Sequence, residues 1–447
     1  MEYLLRQRPG WLRGYAWFGG SETGAPAIGR QALIALSIRI AAAGLAFAAQ
    51  IVLARFLGSY AFGVFTYASV WLNVAGSLCA AGFGVSALRF LPAYQAEGET
   101  AKARGYIATG RSACLLAGAA GSAVMTGYLL SGGLRQDLGL APALVLVAVS
   151  LPAYALTDFQ DGIGRAQNRI ASALVPPYIL RPVLTLALTV LLISSGLAGG
   201  AVAAAAALAM ATWFTAAVQL VWQAPKLRRT FPAATGREFA AKLWLSVSLP
   251  LLLVDGFALL LTNLDVLILK LWATPDQVGI YYAAIKTISL VAFVHFAITA
   301  ATSAQLSALY SLGRKRELQA LLSEARILSL VPSLICAAPL VVCGKWVLAL
   351  FGEPFVQGYP AMVIVAVGLL ARAAAGPSQN LLMVGGRQNQ AAVVLAVAVS
   401  INLALCGLLI PGMGFQGAAL AAAAGFSFEA LASMILARRL LAQTISD

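Results

Sequence analysis

Gly63-Val64-Phe65-Thr66-Tyr67-Ala68 returns later in the chain as Gly279-Ile280-Tyr281-Tyr282-Ala283-Ala284, at a spacing of 279 − 63 = 216 residues. The same spacing carries Tyr94 onto Tyr310, each just past an apolar run and just before a charged stretch. Further along, Gly164-Arg165-Ala166-Gln167-Asn168 is echoed by Gly386-Arg387-Gln388-Asn389-Gln390, and Gly200-Ala201 and Gly417-Ala418 both open alanine-rich runs. Coincidences among Ala, Leu and Gly come easily, so the aromatic, Arg and Gln matches carry the weight. The chain reads as a duplication. In a membrane, two repeated bundles are able to rock against one another about a site near the midplane, the architecture of a transporter.

The surrounding composition is 61% hydrophobic and 10% charged, with a mean hydropathy of +0.86, whereas a soluble domain carries about a quarter charged residues. This composition implies an all-α polytopic membrane protein. A helix needs about 20 mostly apolar residues to cross a bilayer and satisfies its own peptide groups on the way. Twelve such runs are predicted, near 31–56, 61–88, 107–131, 140–158, 170–194, 199–222, 244–271, 278–304, 322–345, 359–383, 388–410 and 413–437. Six fall in each half, making two six-helix repeats around a central cavity. The predicted divisions are an interfacial N-terminal segment (1–29), an N-lobe (30–222), a cytoplasmic linker (223–243), a C-lobe (244–438) and a C-terminal tail (439–447).

Charge placement supports this topology. The formal net charge is +14 from 30 basic and 16 acidic residues. With both termini in the cytoplasm, 22 Lys and Arg face that side and only Arg55, Arg135, Lys270 and Lys345 face the other; four more lie inside predicted helices (22 + 4 + 4 = 30). A missed helix would scramble the alternation, so the positive-inside pattern favours twelve spans and a multi-pass protein of the bacterial cytoplasmic (inner) membrane. Membrane orientation accounts for the basic balance, and nucleic acid is not an implied partner. Arg6, Arg8 and Arg13 interrupt the first 29 residues among Trp11, Tyr15, Trp17 and Phe18, which suits a segment lying on the inner leaflet and not a cleavable signal.

The residue types needed for chemistry are sparse. No G-x-x-x-x-G-K-[ST] loop is present, and Gly162-Ile163-Gly164-Arg165 lacks both a third glycine and a preceding strand. His295 is the only histidine, so a His-based metal pair or catalytic triad cannot form within the chain. Cys79, Cys114, Cys336, Cys343 and Cys406 lack metal-ligand spacing and read as packing residues. The predicted outer loops offer Asp137, Asp276 and Glu353 only singly. No catalytic residue, metal or cofactor is expected; translocation is.

Charges inside the predicted spans each cost about 2.5–3.5 kcal/mol at mid-bilayer and so call for a purpose. Arg39 and Asp255 occupy matching places in helices 1 and 7, since 255 − 39 = 216. Gln50 returns to the Arg39 face, and Ser248, Asp255 and Thr262 share a stripe. Pro250 frees a carbonyl one turn before Asp255. Lys286 shares a face with Tyr282 and Ser289, Arg372 precedes Gln379, and Arg181 is followed by Pro182 and Thr185. Asp265 and Glu429 complete the set. Arg39, Gln50, Arg181, Lys286, Arg372 and Gln379 are the candidate substrate-binding residues, and Asp255, Asp265 and Glu429 the candidates for coupling or gating. The alternative for each is a structural ion pair. His295 reads as a packed, hydrogen-bonded residue. Asp158 and Asp161, near Arg165 and Arg169, read as local salt bridges at a helix end. Four buried cations against three anions favour an anionic head group, whose phosphate oxygens Arg grips through paired hydrogen bonds.

Ala54-Arg55-Phe56-Leu57-Gly58-Ser59-Tyr60-Ala61-Phe62-Gly63-Val64-Phe65 resembles a passage after helix 1 of bacterial polysaccharide flippases. Gly84–Pro92, Gly162–Arg169 and the glycine-alanine run from Gly412 to Ala424 are similar to that family too, so the resemblance spans residues 30–438. It implies a multidrug-extruder-like fold within the multidrug/oligosaccharidyl-lipid/polysaccharide exporter superfamily, and twelve helices favour the O-antigen or exopolysaccharide type. The implied activity is alternating-access flipping of a polyprenyl-pyrophosphate-linked oligosaccharide from the cytoplasmic to the outer leaflet. The driving force expected is membrane potential acting on a charged cargo, or counter-movement of H+ or Na+ carried by Asp255, Asp265 or Glu429, and glycan polymerase and export machinery are candidate partners. The resemblance transfers no catalytic residue. Competing readings are a cation-coupled extruder of small molecules and a membrane glycan polymerase.

Overall fold

The computed structural model describes residues 25–131, 139–232 and 236–443, all helix and connection with no strand among them. Ten helices are long and apolar enough to cross a bilayer, and the pair Leu140–Val149 and Leu151–Ala166, bent by 48°, makes an eleventh. Ala25–Cys79 is two helices joined across Gly58, whose φ of 75° and ψ of 172° fall outside the helix. Counting it as two gives 11 + 1 = 12 spans, as the hydropathy and charge patterns predict. In chain order they are α1 and α2 (Ala25–Cys79, divided at Gly58, with α2 resuming over Phe83–Ala96), α3 (Thr100–Leu130), α4 (Leu140–Val149 and Leu151–Ala166), α5 (Ile170–Ser194), α6 (Gly200–Thr230), α7 (Ala241–Leu261 and Leu264–Leu269), α8 (Pro275–Ser311), α9 (Lys315–Val342), α10 (Tyr359–Ala375 and Ser378–Val384), α11 (Gln388–Met413) and α12 (Phe415–Gln443). The predicted interfacial segment lies mostly outside the described residues.

The connection between the lobes is shorter than the sequence suggests. Pro225 is accommodated inside α6, which runs on to Thr230 with Arg228 and Arg229 in its last turn. The link from α6 to α7 is therefore residues 231–240, not 223–243. It is tied to α3: the Glu238 N–H donates to the Ala101 carbonyl at 3.1 Å, and Arg104 donates to the Pro232 and Gly236 carbonyls.

The duplication is real, and its register drifts along the chain. At the α2–α3 turn, Gly98 has φ 73°, and the Glu99 and Thr100 N–H groups donate to the carbonyls of Tyr94 and Gly98. At the α8–α9 turn, Gly313 has φ 65°, and Arg314 and Lys315 donate to Leu309 and Gly313. The spacing there is 313 − 98 = 215, so the counterpart of Tyr94 is Leu309 and not Tyr310. After α4, Asn168 (φ 53°) ends the helix where Gly386 (φ 72°) ends α10, and Arg169 and Arg387 close the turn onto Gly164 and Leu382. The spacing is now 387 − 169 = 218. The Gly164–Asn168 echo therefore matched the wrong arginine; the two turns share a left-handed residue followed by Arg. Gly200 (φ 51°) and Gly414 (φ 57°) open α6 and α12, so Gly414 and not Gly417 is the equivalent of Gly200, at 414 − 200 = 214. Arg111 donates to Gln160 Oε1 at 3.3 Å where Arg326 donates to Ser378 Oγ at 3.4 Å, one pair in each lobe at the spacings found for α3/α9 and α4/α10.

The motif that discloses the repeat is also where its halves touch. A Cβ built on Gly63 would lie 1.8 Å from the Pro275 carbonyl oxygen, and one on Gly279 would lie 2.8 Å from the Ser59 oxygen and 3.0 Å from Gly63 Cα. Because 275 − 59 and 279 − 63 are both 216, these contacts exchange under the pseudo-two-fold axis, as in an isologous dimer interface. Glycine is required for so close a backbone approach. Around it, Phe62 packs edge-on against Phe355 (5.6 Å), Tyr282 (6.3 Å) and Phe351 (6.4 Å). Arg55 donates across the lobes to the Leu350 and Ala349 carbonyls, and Ser59 Oγ donates to Asp276 Oδ1. This end of the bundle is sealed.

The other end, which carries the basic connections, is organised differently. The first half of α7 is docked on the N-lobe, although its place in the repeat assigns α7 to the C-lobe. Trp244 is fully buried with Phe83, Phe90, Tyr94, Tyr106 and Phe159. Its indole donates to Tyr94 Oη at 2.9 Å, and Ser86 and Ser248 share a hydrogen bond of 2.7 Å.

Candidate functional site

A cavity of about 180 Å³ lies between α2, α4 and α7, lined by Ser77, Gly84, Asp158, Arg165, Asp255 and neighbouring apolar residues. The packing of α4 against α2 places its charges there. Asp158, Gly162 and Arg165 follow one another at helical spacing, and Gly162 meets Gly84 so closely that a Cβ would fall 2.0 Å from its carbonyl oxygen. The backbones of α2 and α4 thus press together and leave the longer side chains at the cavity wall. Asp161 is buried and pairs with Arg165 at 3.2 Å.

Arg39 stands beside this group, half-buried, with its guanidinium 4.6 Å from the Phe296 ring of the C-lobe and 5.7 Å from the Tyr178 ring of the N-lobe. It lies within electrostatic range of Asp161. Arg181 stacks over Tyr154 at 4.9 Å and lies in range of Asp158; the Tyr154 hydroxyl donates to Asn73 at 2.7 Å. Among the described residues neither Arg39 nor Arg181 has a carboxylate within ion-pair distance. Arg181 also reaches the Tyr154 hydroxyl, and because neither guanidinium is paired with a carboxylate, N–H donors remain of the kind that grip phosphate or carboxylate oxygens.

The remaining predicted residues lie elsewhere. Arg39 and Asp255 do not pair. Arg372 and Glu429 do, at 3.1 Å in the C-lobe with Glu429 buried. Their atoms are close without hydrogen-bond alignment, so the contact is Coulombic. Asp265, fully buried beside the break in α7, accepts from the Tyr281 hydroxyl and from the Val266 N–H at 3.0 Å. Lys286 stacks over Tyr282 at 5.0 Å within range of Asp265. Gln50, further along α1, keeps a buried amide oxygen without a partner. Gln379 is half-buried past the break in α10, at the place equivalent to Asp161 (379 − 161 = 218). His295 shares a hydrogen bond of 3.0 Å with Ser329, a packed role as its sequence context suggests.

The expected excess of cations is thereby corrected. Once the Arg372–Glu429 pair and the neighbours Asp265 and Lys286 are set apart, the cluster holds Arg39, Arg165 and Arg181 against Asp158, Asp161 and Asp255, a formal balance of three and three. Sequence reasoning placed Asp158, Asp161 and Arg165 at a helix end. The Arg165–Asp161 bridge is there, but Asp158 and Arg165 also face the cavity. The legible signal was the stripe Asp158, Gly162, Arg165, with glycine at its centre.

A family model described as "Polysaccharide biosynthesis protein" matches residues 28–304, more than half of the chain. No curated protein matches. Among solved structures, the chain is similar to a multidrug resistance MATE family transporter of the MOP superfamily in an inward-facing conformation, with a TM-score of 0.74 and 15% identity over 93% of this chain and 99% of that one. An outward-facing structure of the same description gives 0.68 and 16% over 94% and 96%. A MOP superfamily transporter from Pyrococcus furiosus gives 0.68 and 14% over 94% and 96%. At such identities the likeness establishes a shared fold.

Proposed function

The chain belongs to the polysaccharide biosynthesis protein family, and from that premise we propose that it is a secondary transporter that flips a polyprenyl-pyrophosphate-linked oligosaccharide across the cytoplasmic membrane by alternating access. The observation that carries the reading is the pair Arg39 and Arg181, each set over an aromatic ring and unpaired with any carboxylate among the described residues. A diphosphate offers the oxygens such edges bind, and the aromatic rings offer stacking faces to the first sugars. With the basic end in the cytoplasm, the sealed end faces outward and the cavity is poised for loading.

Membrane potential then helps the cargo leave. At about 2.3 kcal/mol per charge per 100 mV, two negative charges gain roughly 4–5 kcal/mol on moving outward. Counter-movement of H+ or Na+ would use a carboxylate on the cavity. Asp255 meets that condition together with Asp158, whereas Asp265 and Glu429 are held by Tyr281 and Arg372. The carboxylates also favour the second reading, a cation-coupled extruder, in keeping with the multidrug transporters that share the fold.

Arg39→Ala and Arg181→Ala separate the two. In proteoliposomes holding a fluorescent polyprenyl-pyrophosphate disaccharide, each is expected to slow flipping at least tenfold with normal reconstitution. Unchanged flipping in both would remove the binding role. Flipping absent from the native protein, with cation export present, would establish the extruder instead.

A further inference from the structure

Helix α5 contains Pro176-Pro177, and neither residue has an N–H to give. The carbonyls of Ser172 and Ala173, four residues before each, therefore lose their α-helical donors. Both residues are buried, where an orphaned carbonyl is costly. The donors come from α6: Gln219 Nε2 donates to the Ala173 carbonyl at 3.1 Å, and Gln223 Nε2 donates to the Ser172 carbonyl at 3.2 Å and to the Gln160 carbonyl at 3.1 Å. Two glutamines one turn apart thus replace two missing peptide donors one residue apart. Each leaves its own amide oxygen buried without a partner, so neither is placed for its own satisfaction.

Beginning at the prolines themselves, Pro176–Leu180 winds as a π-turn, with the Arg181 N–H returning to the Pro176 carbonyl. A π-turn holds one extra residue and rotates the remainder of the helix. The spacing of the repeat records it. Ala173 matches Ala391 at 218, but beyond the turn buried Thr185 and Thr189 match buried Asn402 and Cys406 at 217. In the C-lobe the places of the two prolines hold Val394 and Leu395 within the continuous helix α11, and the places of Gln219 and Gln223, at 214, hold Ser433 and Ala437. The amides occur only in the lobe where the prolines do. Within and just after the turn stand Tyr178, against Arg39, and Arg181, on Tyr154.

We propose that Gln219 and Gln223 are positioning residues, a two-amide clamp that holds α5 in its bulged form and so aims Tyr178 and Arg181 at the cavity. The proposal rests on the anion-binding reading of Arg181, and its test keeps the two apart. Binding of farnesyl diphosphate, a short polyprenyl diphosphate, is measured on purified protein, along with thermal stability and the distance between spin labels at the exposed positions Ala187 (α5) and Trp213 (α6). Gln219→Leu with Gln223→Leu is expected to weaken binding at least tenfold, lower the melting temperature and shift the distance. Adding Pro176→Ala and Pro177→Ala supplies the missing N–H donors, so stability should return while the segment straightens and binding stays weak. Binding restored together with stability would overturn the proposal, because the amides would then only satisfy carbonyls; so would a double-leucine variant that keeps both distance and affinity. If native protein fails to bind the probe, the anion reading falls and the spin-label distance alone decides whether the clamp holds the bulge.

Discussion

Replacing Gly63 by alanine tests whether the sealed end is a conformational gate. The added Cβ would sit 1.8 Å from the Pro275 oxygen, while contacts below 3.0 Å are essentially never found. The two backbones must separate by at least 3.0 − 1.8 = 1.2 Å. Neither side has a flexible side chain to yield, since the obstacle is main chain on both helices. Strain of this kind costs about 1–3 kcal/mol. It bears only on the state in which α2 and α8 touch, so the equilibrium should move toward the state open at this end by roughly 5- to 140-fold, at 1.4 kcal/mol per factor of ten.

The assay is a distance distribution between spin labels at Leu197 in the N-lobe and Trp346 in the C-lobe, both exposed. Gly63→Ala should raise the long-distance population, and adding Gly279→Ala, whose Cβ would meet the Ser59 oxygen at 2.8 Å, should raise it further. Gly44→Ala serves as control, because nothing lies within 4 Å of its Cβ. A Gly63→Ala protein with native stability and a native distribution would refute the idea that this contact belongs to one state of a rocking pair.

Two more outcomes are expected. Exchanging Arg39→Asp with Asp255→Arg should not rescue disaccharide flipping, because Arg39 rests between Tyr178 and Phe296 while Asp255 lines the cavity with Arg165; rescue would establish a structural pair. In the C-lobe, Glu429→Leu alone should destabilise the protein by about 3–5 kcal/mol by leaving Arg372 uncompensated, and adding Arg372→Met should recover most of that loss in a thermal melt.

The number of spans was legible because hydropathy and charge alternation are strong, additive signals over each run of about 20 residues. The breaks within spans were not. The π-turn of α5 and the interruptions at Asn263 in α7 and Gly376 in α10 leave hydropathy unchanged, so only partner groups reveal them. The repeat was recognisable from Gly63 and Gly279 because a backbone contact on the pseudo-two-fold axis allows no other residue at either place. Elsewhere the echoes slipped by one to four residues, since identity was matched where the lobes share only helix-ending geometry, as at Asn168 and Gly386. Arg39, Arg181 and Asp255, which the structure gathers near one cavity, were selected by the rule that an intramembrane charge needs a reason. The same rule also selected Arg372 and Glu429, whose reason is each other, and nothing in a single sequence separates those cases.

The structural spacings show why the charged cluster is one-sided although the scaffold is two-fold. Tyr154, Asp158, Asp161 and Arg165 of α4 correspond, at 218, to Arg372, Gly376, Gln379 and Met383 of α10. The C-lobe thus keeps one charge of this group, and Glu429 neutralises it. Asp255 joins the N-lobe cluster from α7 because Trp244 and Ser248 bind the first half of that helix to α2 and α3. All three acids and all three arginines of the cluster therefore stand on helices packed with the N-lobe. In the proposed rocking motion these charges would move together and keep their mutual distances, so the electrostatic cost of assembling them would not be incurred again in each cycle. The contacts that change are those each lobe offers the other: the stack of Arg39 on Phe296 at the basic end, and the aromatic seal with its glycine contact at the opposite one. On the proposed reading, an anion that takes over the Arg39 edge would act at that first contact, so Arg39 is where cargo binding would reach the rocking motion.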